Sequence, residues 1–212
     1  MNTLLEALQR VSRGKKNIEC SEAGSAFVDY GAAPYEEITR DGKSFSGIST
    51  TARAGVVALP TTACNVSLYN TAPSGGKSAV IDAIFAVAIA AHTTIGQSGL
   101  IYVVGQTAVA SSAGALVPRK LNGLGPGSDS VCLLADGTAL DAVTGVAIGW
   151  LPAGPTVNAG VISVPGVVLW CPMDGKVIVS PGHLFAVNVM TSNVENTFNC
   201  GIMWHEKQLT LA

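Results

Sequence analysis

The chain has 212 residues, of which 48% are hydrophobic and only 12% charged, with a formal net charge of −2. That balance removes the general electrostatic argument for nucleic-acid binding, and no stretch reaches the roughly 20 apolar residues of a membrane-spanning helix, the best run being Ala83–Ala91. Soluble domains usually carry roughly 25% charged residues, so the deficit predicts a surface that largely faces other subunits, with a Ser/Thr/Asn/Gly-rich solvated surface as the competing explanation.

In chain order, Thr3–Arg13 reads as a helix. Leu4, Leu5, Leu8 and Val11 form one apolar face, Thr3-x-x-Glu6 is a capping box and Gly14 ends the run. A helix this short is marginal alone, so the four apolar residues are the candidate oligomer-docking set. Arg10, Arg13, Lys15 and Lys16 gather at its C-terminal end, where the helix dipole and solvent favour cations. They are also the one place where a nucleic acid or another acidic partner would be met. Glu6 and Arg10 interrupt any secretory-signal pattern. From Asn17 to Thr51 the chain is polar and broken by Gly24, Gly31, Pro34, Gly42 and Gly47, which reads as an extended arm. Residues 1–51 are therefore expected to be a helix and docking arm, and residues 52–212 a β domain.

After Thr51, short Val/Ile/Leu/Ala runs alternate with Gly, Pro, Asn and Ser clusters, the pattern of an all-β sandwich. The predicted strands are Gly55–Leu59, Asn65–Tyr69, Ala79–Ala91, Leu100–Thr107, Val131–Leu134, Val143–Trp150, Val161–Trp170, Val177–Val179, Leu184–Met190 and Asn199–His205. Ala79–Ala91 satisfies two periods: Val80, Ile84, Val87 and Ala91 fit a helical stripe, whereas Ile81, Ala83, Phe85, Val87 and Ile89 alternate. Its β-branched content and the Asn70–Lys77 turn before it favour a strand. Ala108–Ser130 reads as a long loop of the kind that serves binding or subunit contact.

No chemical motif survives inspection. Pro73–Ser78 contains Gly-Lys-Ser, but the first glycine of a phosphate-binding loop would fall at Thr71, so a hairpin turn is expected. In Gly123-x-Gly125-x-Gly127, Pro126 removes a donor that a dinucleotide loop would use. Ser49 and Ser98 match only the leading glycine of a hydrolase elbow, and His92, His183 and His205 lack metal-ligand spacing. Asp136-Gly137 with Asp141 lacks a calcium loop's oxygen array and reads as a turn. Cys20, Cys64, Cys132, Cys171 and Cys200 are an odd set without C-x-x-C, which predicts buried thiols and reduced synthesis, with one bridge left open. Trp150, Trp170 and Trp204 each end an apolar run and are expected to pack in a core or interface, with a stacking platform as the alternative.

Two segments, Ser67–Phe85 and Ser180–Met190 through Gly201–Glu206, resemble bacteriophage virion proteins of jelly-roll type, related in architecture to trimeric C1q/tumour-necrosis-factor-like domains. The resemblance spans about residues 55–206. It implies a jelly-roll-like β-sandwich in which a Pro-Gly turn launches a strand that pairs with the terminal one. It also implies a homo-oligomer, a trimer or larger, made in the host cytoplasm and built into a virion with other virion proteins, as capsid, decoration or tail/fibre component. No catalytic residue, metal or cofactor is expected. Ala108–Ser130 and Pro152–Ala159 are loops outside the resemblance. The second hypothesis is a carbohydrate- or receptor-binding head with Trp150 or Trp170 exposed, and an enzyme is third.

Overall fold

The computed structural model describes residues 19–20, 26–27, 35–60, 63–89, 96–105, 115–136, 149–159, 168–192 and 196–209. The expected Thr3–Arg13 helix, with Leu4, Leu5, Leu8, Val11, Arg10, Arg13, Lys15 and Lys16, lies outside the described residues. Two compact units divide the chain, Met1–Glu37 and Ile38–Ala212. In the first, β1 (Glu19–Cys20) pairs antiparallel with β2 (Ala26–Phe27). A five-residue helix, α1 (Glu36–Arg40), follows and is the one helix among the described residues.

The second unit is an all-β sandwich. Its strands in chain order are β3 (Ser44–Ile48), β4 (Arg53–Ala54), β5 (Val66–Asn70), β6 (Lys77–Ala88), β7 (Gly96–Gly105), β8 (Ala115–Leu116), β9 (Arg119–Lys120), β10 (Cys132–Asp136), β11 (Leu151–Ala159), β12 (Val168–Val179), β13 (Leu184–Thr191) and β14 (Thr197–Gln208). One antiparallel sheet runs β11-β7-β13-β5-β10-β8; the other runs β12-β6-β14-β3-β9, with β4 also on β14. Numbering β3, β5, β6, β7, β11, β12, β13 and β14 as one to eight gives neighbour orders 6-3-8-1 and 5-4-7-2. The inserted β8–β10 segment extends the other ends of both sheets, β10 joining β5 and β9 joining β3.

Strand periodicity builds the core. Along β14, Phe198, Cys200, Ile202 and Trp204 point inward and are buried, meeting Phe185, Val187 and Val189 of β13 and Leu68 of β5 from the opposite sheet. Trp204 stacks on Phe45 of β3 at 5.7 Å. A smaller cluster on the outer side of the first sheet gathers Cys64, Ile101, Val103, Ala186 and Trp150, whose indole N–H donates to Pro60 O at 2.9 Å.

The double periodicity of β6 has a physical cause. Its pairing with β14 slips between Met203/Trp204, which sit opposite Ala83 and Ile81 and leave Asp82 as an extra residue. Ile81 and Ile84 therefore both face the core although they are three apart, as a helical stripe would have them.

Several expectations change. Ser44–Ile48, assigned to the arm, is a strand inside the sandwich, with Phe45 2% exposed. Pro152–Ala159, assigned to a loop, lies in β11; its Pro-Gly-Pro content is tolerated because β11 is, among the described residues, an edge strand whose register shifts between Ala153/Val157. Ala108–Ser130 carries the two short strands β8 and β9. Gly55–Leu59 is not a strand: only Val56 bridges, to Met190, because this stretch lies against the second apolar cluster. β13 does not pair with β14; it pairs with β5 and β7, so the two strands face each other across the core. Likewise Pro73–Gly76 turns the chain from one sheet to the other, not back along a hairpin. Buried Asn70 holds that turn by donating to Lys77 O and Val179 O and accepting from Ala72 N.

Candidate functional site

The outward residues of β12, β6, β14 and β3 form rows fixed by register. Trp170, Phe85, Gly201 and Ile48 stand side by side across four strands, flanked by Val168 and Val87 on one side and by Pro172, Ala83 and Met203 on the other, with Ile178 and Val80 beyond. Trp170 stacks on Phe85 at 5.6 Å and 20° between planes. Gly201 makes room for that stack, since a side chain there would collide with the Phe85 ring. Four large apolar residues of this face stay open to solvent: Val168 (49%), Trp170 (47%), Ile48 (41%) and Ile178 (38%). This is a flat apolar sheet face, and solvated apolar area of this kind marks interaction surfaces.

One histidine–carboxylate pair lies within it. Asp82, exposed to this side by the bulge in β6, accepts a hydrogen bond from His205 Nδ1 at 2.8 Å, and both side chains are largely buried. Ser44, across the strand from His205, is buried and engaged with the Thr39 hydroxyl at 3.2 Å. The arrangement orients the imidazole but, among the described residues, presents no exposed nucleophile beside it. Asp174 and Lys176 are exposed on the irregular stretch of β12 at the margin of the face.

The remaining candidates sit in structural roles. Ser49 Oγ accepts from Cys200 N and Ser98 bonds Thr191. His183 Nδ1 lies 2.9 Å from Pro181 O in the turn before β13. Asp136 ends β10 and grips the chain after β3: its Oδ2 accepts from Thr50 N, Thr50 Oγ1 and Thr51 N, each at 3.0 Å. Glu206 is buried on β14, with Oε1 accepting from Ser130 Oγ at 2.6 Å and Val131 N at 2.9 Å. Burial raises the Cys200 thiol above its ordinary value and does the same to Cys132, where the neighbouring Glu206 carboxylate adds to the effect. Among the described residues no three His, Cys, Asp or Glu side chains are grouped to hold a metal ion, and no helix is long and apolar enough to cross a membrane.

The sequence singled out Trp170 but not its row. Ile48 lay in the supposed arm, and the Phe85–Gly201 contact joins positions 116 apart in the chain, which strand periodicity alone does not register. The docking residues Leu4, Leu5, Leu8 and Val11 lie outside the described residues. Compared with protein-family models, curated proteins and solved structures, the chain matches none of them.

Proposed function

We propose that this chain is a structural subunit of a virion, a jelly-roll protein that self-assembles as a trimer or larger ring, through the apolar row Trp170–Phe85–Gly201–Ile48. That row is the observation that carries the reading. Large side chains left open on a chain with 12% charged residues are best covered by another copy. The strand orders 6-3-8-1 and 5-4-7-2 support the jelly-roll part, since they are those of an eight-stranded double Greek key. The resemblance of Ser67–Phe85 and Ser180–Glu206 to phage proteins supports the virion part. On this reading the chain takes no cofactor, catalyses no reaction and works in the particle after synthesis in the host cytoplasm.

Light scattering and electron microscopy of the purified chain test it. A trimer or ring is expected, and Trp170→Asp with Ile178→Asp should give folded monomers. A wild-type monomer at micromolar concentration overturns the proposal.

Trp170 also favours a second reading, a carbohydrate- or receptor-binding head. Its ring is braced by Phe85 and half open, as a sugar-stacking platform requires, whereas Trp150 is buried. Glycan-array binding lost in Trp170→Ala, on a chain that stays monomeric, would replace the first reading with this one.

A further inference from the structure

Glu206 presents an anomaly that assembly does not explain. Its side chain is fully buried, yet Oε2 has no hydrogen-bond partner. The nearest cation, Lys77 Nζ, stands 3.8 Å from Oε2, too far for a hydrogen bond, on a side chain 45% exposed. A buried charge held in this way is costly. The other oxygen is differently placed. Oε1 receives the Ser130 hydroxyl and the Val131 N–H, and the Cys132 N–H occupies a Ser130 lone pair at 3.0 Å, which directs the Ser130 proton toward Glu206. Two donors converging on one carboxylate oxygen are the arrangement that stabilises charge on that oxygen when an amine adds to the carbon.

We propose that Lys77 and Glu206 condense into an intramolecular amide that ties the start of β6 to the end of β14. The amine lone pair adds to Cδ while Ser130 and Val131 hold Oε1. The Nζ–Cδ bond forms and the Cδ–Oε2 bond breaks. Of the three ammonium protons, two leave with Oε2 as water and one stays on the amide nitrogen, so the step is redox-neutral and needs no co-reactant. Fixed proximity on adjacent strands supplies the effective concentration. The half-exposed lysine provides the route by which a proton is lost and water departs.

Intact-mass spectrometry of the purified full chain tests this, with Lys77→Arg as reference because it keeps the charge and the fold but cannot form the alkyl amide. Wild type should be lighter by one water, about 18 Da, once the substitution is allowed for, and its digest should contain a branched peptide joining Lys77 to Glu206. Wild type at full mass overturns the proposal, as does a water loss that persists in Lys77→Arg.

Discussion

The Phe85 ring occupies the space that a side chain at Gly201 would need, so a glycine on β14 sets the position of an aromatic on β6 and, through it, of Trp170 on β12. Gly201→Ala should therefore cost about 1–3 kcal/mol through overpacking and shift the Trp170 emission as its stack is disturbed. Removing the obstacle in Phe85→Ala/Gly201→Ala should recover part of that loss. Urea midpoints of the four chains form the double-mutant cycle, and additive losses would mean that the two residues do not meet.

The place of β3 gives a truncation a definite outcome. Deleting residues 1–51 removes a strand paired with β14 and the core side chain Phe45, whose burial alone is worth about 1.5–3 kcal/mol. That chain should fail to give a cooperative melt. Deleting residues 1–34 leaves every strand of the second unit intact and should give a folded sandwich with a β-type circular dichroism spectrum.

How far the sequence shows the fold follows from what its periodicity can encode. The apolar runs Leu184–Met190 and Asn199–His205 identify β13 and β14, because each alternates as a strand does. Alternation does not encode partners: both strands suit either sheet, and their separation is decided by β5 and β7 pairing with β13. Edge strands are read poorly for a related reason. In Leu151–Ala159, Pro152, Gly154 and Pro155 look like loop residues, and only an unpaired side makes them tolerable in a strand. The apolar face is legible as composition, through the missing charges, but its members come from four separated strands.

Asp136 should matter to stability more than its modest exposure suggests. Asp136→Ala leaves two backbone N–H groups and a hydroxyl without their shared acceptor at the crossing from β3 toward β4, at a cost of about 2–4 kcal/mol. Amide exchange at Thr50 and Thr51 should quicken in the same variant. Unchanged exchange there would show that water replaces the carboxylate.

Two buried thiols give a pH dependence with a defined sign. Cys132 and Cys200 are raised above the ordinary thiol value of 9.0, mainly by burial. The native state thus keeps its thiol protons where the unfolded chain loses them. Their contribution is fully present below pH 9.0 and is lost progressively as the pH rises above it. Urea midpoints should fall above that pH more gently in Cys132→Ala/Cys200→Ala than in wild type, and parallel curves would contradict the linkage. Titration with a thiol reagent below pH 9.0 should leave both cysteines unmodified in the native chain and modify both after unfolding.

On one side the two sheets end, among the described residues, at β11 and β12, and both of these edges are interrupted. β11 shifts register between Ala153/Val157, with Gly154 in a left-handed conformation at φ 70. β12 shifts between Pro172/Val177, where Asp174 takes φ 48 and Gly175 φ 74. The irregularities face each other, since a side chain at Gly154 would press on Cys171. A strand that carries proline and a bulge cannot offer a continuous ladder to a second chain, and this is how sheet proteins keep edges from pairing indiscriminately. The assembly proposed through the apolar face would leave these edges unused. Replacing Pro172 with Val and deleting Asp174, Gly175 and Lys176, the stretch by which β12 outruns β6 between Pro172 and Val177, should straighten β12 and create a regular, uncharged edge beside an apolar face. That variant should keep a β-type spectrum but form aggregates that grow with time and bind thioflavin, whereas the wild-type chain, on the proposed reading, should stop at a closed size. Size-exclusion chromatography after incubation separates the cases. If the straightened chain elutes as the wild type does, the bulges serve local packing against β11 and do not protect the edge.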